Sequence, residues 1–268
     1  MPELRPLAVV TGGSSGIGFE LARQFAEHGY DLVIASENAD HLREAAQALS
    51  GLGPAGVGEV EPFPVDLSTF DGTQMLYDHL SGLGRPVDVL AANAGVGVGG
   101  DFIRETQLED ELKMIRLNVD HVVHLVKLVG RDMVRRGQGR ILITSSVAGV
   151  MPGPREAVYA ATKAFLLFFA EAVRNELKDT GVTVTALQPG PTETNFFPRA
   201  GLQETRAGQS DHKSDPADVA REGFEALMAG KDHVVAGAMN KLQTGMAALM
   251  PDKAKAAAHG ELTKPAHG

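Results

Sequence analysis

A doubly wound α/β domain is the fold class that this sequence predicts, and three observations predict it. Short apolar runs alternate with longer stretches of helical periodicity along the whole chain. The runs are almost continuously apolar rather than alternating, as in a parallel sheet covered on both faces. A turn of small residues follows the first run at once and leads straight into a helical pattern, the order of a nucleotide-binding strand–turn–helix unit.

The apolar runs at 7–10, 32–35, 60–65, 87–91, 140–144, 182–187 and 233–236 read as about seven buried strands. Helices are expected near 16–28, 38–50, 68–82, 107–136, 156–180 and 216–229. Right-handed crossovers then place every strand C-terminus on one edge, where such sheets bind ligands. No linker divides the chain, because the stretch GLGPAGVG at 51–58 is too short to separate domains. Residues 1–251 therefore read as a single domain. Within it, 192–214 turns from apolar (Phe196, Phe197, Leu202) to polar and is expected to form a lid over an apolar pocket. Residues 239–250 are expected to pack on the core, with a second subunit as the alternative, and 252–268 to form a flexible tail.

Composition excludes several classes. A net charge of −9 argues against nucleic-acid binding, which needs a basic surface. The absence of cysteine rules out disulfides and thiolate chemistry. A 43% hydrophobic and 22% charged make-up fits a soluble globular protein. No apolar run approaches the ~20 residues that span a bilayer, and no signal peptide is read at the start, so a cytoplasmic protein is expected.

The first strand runs into Thr11-Gly12-Gly13-Ser14-Ser15-Gly16-Ile17-Gly18. Glycines at 12, 16 and 18 let the backbone approach a pyrophosphate, whose charge the amides at the helix N-terminus bind. In this context the turn predicts a Rossmann-type dinucleotide site. Glu37 lies 19 residues beyond Gly18, where such folds meet the adenosine ribose. A carboxylate there accepts from a ribose 2′-OH and repels a 2′-phosphate. No basic residue stands at 36–38, so NAD is slightly favoured over NADP, although His41 and Arg43 lie one turn on. Asp66 ends the third strand and is placed to bind an adenine amino group or to cap the next helix.

Tyr159 and Lys163, in YAATK, stand four apart and share a helix face. Thirteen residues earlier, Ser146 ends the fifth strand on the ligand edge. A free tyrosine is only about one part in a thousand ionised at pH 7. Lowering its pKa by ~3 units takes roughly 4 kcal/mol of preferential phenolate stabilisation, which a nearby ammonium in a desolvated cleft can supply. The phenol would then serve as an acid or base.

Together these stretches resemble the short-chain dehydrogenase/reductase family: TGGSSGIG at 11–18, NAG at 93–95, Asn118 in RLNV, Ser146 in TSSVAG, YAATK at 159–163 and PGPTET at 189–194. The resemblance covers residues 7 to about 195 and implies an NAD(P)-dependent oxidoreductase that moves hydride between nicotinamide and a carbonyl or alcohol carbon. It implies Tyr159 as general acid/base, with Lys163 lowering its pKa and holding the nicotinamide ribose. Ser146 would bond the substrate oxygen, and Asn118 would anchor a water-linked relay to Lys163. Cofactor contacts are implied for Gly12, Ser14, Ser15, Gly16, Ile17 and Gly18; for Ser36, Glu37, Asp66 and Leu67; for Asn93, Ala94 and Gly95; and for Pro189, Gly190, Thr192 and Thr194, the last at the carboxamide. Ser146, Phe196, Phe197 and Leu202 would line the substrate pocket. A homo-oligomer, dimer or tetramer, is implied through the helices at 107–136 and 156–180. The chain departs from the family's habit at Ala92, often asparagine, and at Ser36, often acidic in NAD-preferring members.

The alternative, a non-catalytic dinucleotide-binding redox sensor or scaffold, would need the glycine turn but not Asn118, Ser146, Tyr159 and Lys163. Other patterns read as structural. His121 and His124 lack a third ligand, so no metal is expected and they read as surface or subunit contacts. Ser145 has no G-x-S-x-G context. The acidic run from Glu105 to Glu111 reads as a helix start, and residues 165–169 as core or subunit packing.

Overall fold

The structure is a computed structural model that describes residues 5–53, 58–248 and 250–264. Part of the 51–58 turn and residues 265–268 of the expected tail lie outside the described residues. The strands are β1 (Leu7–Thr11), β2 (Asp31–Ser36), β3 (Val60–Pro64), β4 (Val89–Ala92), β5 (Gly139–Thr144), β6 (Val182–Gln188) and β7 (His233–Val235). They form one seven-stranded sheet in the order β3-β2-β1-β4-β5-β6-β7, parallel throughout. The order reverses between β1 and β4, which opens the crevice where doubly wound sheets bind ligands.

The helices are α1 (Gly16–Glu27), α2 (Ala39–Leu49), α3 (Phe70–Gly82), α4 (Leu108–Ile115), α5 (His121–Arg136), α6 (Ala157–Glu176), α7 (Phe196–Arg199), α8 (Pro216–Met228), α9 (Ala238–Ala248) and α10 (Asp252–Leu262). Two core layers explain the continuous apolar strands. Leu7 and Val9 of β1 join the layer under α3, α5 and α6, whereas Ala8 and Val10 join the layer under α1, α2 and α8. Both faces of each central strand are buried, so neither face needs polar residues.

Several expectations are corrected. The helix expected over 107–136 is interrupted by a π-helical turn at Arg116–Asp120, which lies between α4 and α5 and carries the fully buried Asn118. Asp66 does not cap α3; Thr69 does, its hydroxyl accepting from Gly72 N at 3.0 Å. His121 is buried rather than a surface contact. Of the segment 239–250, Met239, Leu242 and Met246 of α9 are exposed rather than packed on the core, whereas Asn240 is buried and Thr244 lines the cavity. Residues 252–262, expected to be flexible, form α10. Its end is tied down by Thr263 Oγ1 donating to Pro154 O at 2.9 Å and by Ala207 N donating to Leu262 O at 3.0 Å. Small polar residues masked this helix, because alanine and lysine favour helices as strongly as they favour solvent. No helix among the described residues is long and apolar enough to cross a membrane.

Candidate active site

The turn after β1 forms the floor of the site. Gly12 adopts φ +71°, a left-handed conformation that favours glycine. A Cβ on Gly18 would lie 2.2 Å from Gly12 O and 2.5 Å from Asn93 Nδ2, so α1 meets the strand ends more closely than any side chain allows. Ser15 precedes α1 without capping it, and the first turn holds no acid. The positive end of the helix is therefore left to an anion from outside the protein. This cradle fits a dinucleotide pyrophosphate.

A cavity of about 530 Å³ extends from this turn along the strand C-termini. Ser14 and Ser36 hydroxyls meet at 3.0 Å at one end of it, beyond the glycine turn. Glu37 is exposed there, with Lys113 Nζ 3.9 Å from its carboxylate. Asn38 accepts from the amides of Asp40 and His41 and so caps α2. Asp66 and Leu67 line the same end. Burial pushes the Asp66 carboxyl up, but hydrogen bonds from Ser68 and the charges of Lys113 and Arg116 outweigh it, and the net direction is down. Asp66 is thus an anion whose Oδ1 accepts from Ser68 N at 2.8 Å and Ser68 Oγ at 2.7 Å.

Asn93 lines the cavity, but its side chain is engaged within the protein. Nδ2 donates to Thr11 O at 3.2 Å, and Oδ1 accepts from Thr144 Oγ1 at 3.1 Å. Thr11 Oγ1 accepts from Asn93 N and Ala94 N, each at 3.0 Å, and lies 3.4 Å from His121 Nε2. Burial pushes the His121 imidazole down to about 4, so it is neutral and serves as a core hydrogen-bonding group. Among the described residues no cluster of three metal-binding side chains exists.

Ser146, Tyr159 and Lys163 line the other end, and Asn118 lies behind the cavity wall; all four are buried. Asn118 Oδ1 accepts from Val96 N and its Nδ2 donates to Val96 O, both at 2.9 Å, while Nδ2 also reaches Thr162 Oγ1 at 3.1 Å. Gly95 separates Asn118 from Lys163, since a Cβ there would lie 3.1 Å from Asn118 Oδ1 and 3.3 Å from Lys163 Nζ. Ser146 caps a short 3-10 turn at Val147–Val150, its Oγ accepting from Ala148 N at 3.1 Å. Ser145 donates to Lys163 O at 2.6 Å and is a structural partner of α6. Lys163 Nζ donates to Thr144 O at 3.0 Å and stands 5.7 Å from the Tyr159 ring centroid.

The electrostatics differ from the sequence expectation. Burial pushes Lys163 down to about 8. Burial, and then the negative charge of Glu156, push Tyr159 up; a hydrogen bond from Ser146 opposes them without reversing the direction. The lowering expected from Lys163 is overturned in the protein alone. The ammonium faces the tyrosine ring, and desolvation of the phenolate outweighs it.

Pro189, Gly190, Thr192 and Thr194 also border the cavity. Gly190 abuts Asn240, and Thr194 sits over Gly16. Phe196 lies with its ring centroid 5.2 Å from that of Tyr159 and packs against Gly97. Phe197 lines the cavity, whereas Leu202 lies outside it, packed with Phe197, Ala200 and Ala207. Sequence reasoning missed Lys113, Met151, Glu156, His259 and Thr263 on the cavity wall. Position 156 lies three before the tyrosine, a signal that could have been used; nothing local marks the rest.

A phosphate cradle continuous with a buried serine–tyrosine–lysine group defines a nicotinamide-dependent oxidoreductase. A family model described as short chain dehydrogenase matches residues 6–205. The chain belongs to the short-chain dehydrogenase/reductase family, NAD(P)-dependent enzymes that act on alcohol and carbonyl groups. It is 34% identical over 216 residues to a very-long-chain 3-oxoacyl-CoA reductase of Rattus norvegicus, a match covering 80% of this chain and 66% of that protein. It is 32% identical over 191 residues to sulfoacetaldehyde reductase 2 of Chromohalobacter salexigens, covering 71% and 74%. A short-chain dehydrogenase from Sphingobium yanoikuyae, solved in complex with NADPH, superimposes with a TM-score of 0.79 at 26% identity, covering 92% of this chain and 96% of that one.

Gly18→Ala drives a methyl group into backbone and is expected to weaken NADH binding at least about tenfold and to lower the melting temperature. Fluorescence titration and thermal unfolding check this; unchanged values for both would contradict the cradle.

Proposed function

We propose that the protein transfers hydride between a nicotinamide cofactor and the carbonyl or alcohol carbon of a small apolar substrate, with Tyr159 as general acid/base. The observation that carries this reading is the burial of Ser146, Tyr159 and Lys163 in the cavity that starts at the glycine cradle. The nicotinamide supplies or accepts the hydride when bound. Ser146 orients the substrate oxygen, and Tyr159 gives it a proton in reduction or takes one in oxidation. Lys163 holds the nicotinamide ribose, and its charge favours the phenolate as proton transfer proceeds. Asn118, across Gly95 from Lys163, anchors the water-linked relay that resupplies the proton.

Phe196, Phe197 and Met151 make the substrate end apolar. The relatives are named as reductases of carbonyl compounds, in keeping with reduction as the working direction. NAD is the proposed cofactor, because Glu37 opposes a 2′-phosphate and Asn38 is occupied in capping α2. Lys113 beside Glu37 offsets part of that charge, so the preference is small. A homo-oligomer is also proposed, since Leu108 and Leu112 of α4 and Phe165 and Phe168 of α6 leave apolar surface exposed.

Tyr159→Phe is expected to cut turnover by about a thousandfold or more while NADH binding is unchanged. A nicotinamide absorbance assay over ketones and secondary alcohols reads this, and a variant with substantial activity would remove Tyr159 from its role. In the same assay the ratio of kcat/KM for NADH to that for NADPH is expected to exceed one, and to rise in Lys113→Ala; a wild-type ratio below one would reverse the cofactor assignment, and a fall in the variant would remove Lys113 from its offsetting role. Light scattering is expected to show a dimer or tetramer, and a clean monomer would refute the oligomer.

A further inference from the structure

Glu156 stands immediately before α6 and three residues before Tyr159, yet its side chain does not cap its own helix. It turns to the C-terminal helix instead, where Oε2 meets His259 Nε2 at 3.1 Å across 103 residues of sequence. Glu156 is 8% exposed and His259 7%, and both line the cavity that holds Tyr159 and Ser146. A buried carboxylate persists only if its environment favours the charge. Here the N-terminus of α6 and the ring N–H of His259 do so. His259 is itself held, because Thr263 binds Pro154 O at 2.9 Å and the lid binds the end of α10 through Ala207 N and Leu262 O at 3.0 Å.

We propose that Glu156, held in place by His259 of the C-terminal helix, keeps Tyr159 in its proton-donating phenol form and so equips this cleft for carbonyl reduction. The proposal rests on Tyr159 being the acid/base. Glu156 and His259 are positioning residues, since both act through Tyr159. The direction follows from charge alone: an anion beside the phenol opposes a second anion on the phenolate. Lys163 on α6 and Arg199 on α7 are the other charged groups that line this end of the cavity among the described residues; α4, which packs against α6, carries the buried Glu111, and α5 carries the buried His121, neither of them on the cavity wall. Lys163 acts in the opposite sense, and His121 is neutral. Arg155, the residue before Glu156, is engaged outward with Glu105 at 2.7 Å.

The test is the pH dependence of kcat/KM for the full-length enzyme with NADH and an apolar ketone, and with NAD and the matching secondary alcohol. Loss of the phenol proton gives an alkaline limb, falling in reduction and rising in oxidation. Glu156→Gln is expected to move that limb down by on the order of one pH unit. His259→Ala removes the partner that holds the Glu156 carboxylate at the cavity wall, and the limb is expected to move the same way. His259→Gln keeps an amide donor near the position of Nε2 and is expected to restore the wild-type limb. Melting temperature and NADH binding identify any variant that has lost its fold. Limbs that stay in place in both Glu156→Gln and His259→Ala, with turnover merely reduced, would overturn the proposal and leave the pair a structural latch. Tyr159→Phe separates the two failures: an inactive Tyr159→Phe with unmoved limbs sinks only the role of Glu156, whereas an active one sinks the acid/base reading itself.

Discussion

The hydroxyl of Thr11 sits at the point where the strand order reverses, and the functional edge depends on what it holds. It accepts from the amides of Asn93 and Ala94 and so binds the end of β4 to the end of β1. Asn93 continues the connection to Thr144 at the end of β5. Three parallel strands are thereby locked in register at their C-terminal tips. The glycine turn leaves from the first strand, and Ser146 follows the third by two residues. A buried hydroxyl or amide left unpaired here would cost about 1–3 kcal/mol, so the contacts resist being opened one at a time. Neutral His121 beside Thr11 completes the arrangement without adding charge near Lys163.

Around that frame, burial and charge oppose each other. Removing Tyr159 and Lys163 from water favours their neutral forms, which moves the phenol up and the ammonium down. In the proposed reaction, the tyrosine keeps its proton until a developing alkoxide competes for it. The carboxylate of Glu156 acts in the same sense as burial, whereas the carbonyl of Thr144 holds the ammonium of Lys163 at the site. Burial and an unusual backbone turn thus lie together at this end of the cavity.

The parallel sheet was legible because a strand buried on both faces has no alternation to confuse with a surface strand. Gly12, Ser146, Tyr159 and Lys163 were legible because each is fixed by local geometry: a positive φ, a strand end, or one helical turn. What escaped was set by tertiary contact. Asp66 looked like a cap until Thr69, three residues on, took that place. Leu202 looked like a pocket wall from its apolar neighbours, but the turn after α7 packs it against Phe197 and Ala200 instead. Residues 252–262 carry too little hydrophobic patterning to announce a docked helix, so the meeting of His259 with Glu156 had no signature in either segment. The upward direction at Tyr159 was missed for a related reason, since spacing reveals the nearby lysine but not the depth of burial.

The most direct measurement is a crystal structure of the protein with oxidised cofactor and an unreactive apolar ketone analogue. The expected result is a substrate oxygen within about 2.6–3.2 Å of both Tyr159 Oη and Ser146 Oγ, with its apolar body against Phe196. A ketone oxygen turned away from both hydroxyls, with nicotinamide stacked elsewhere than beside Lys163, would contradict the assignment of this cleft as the reacting centre.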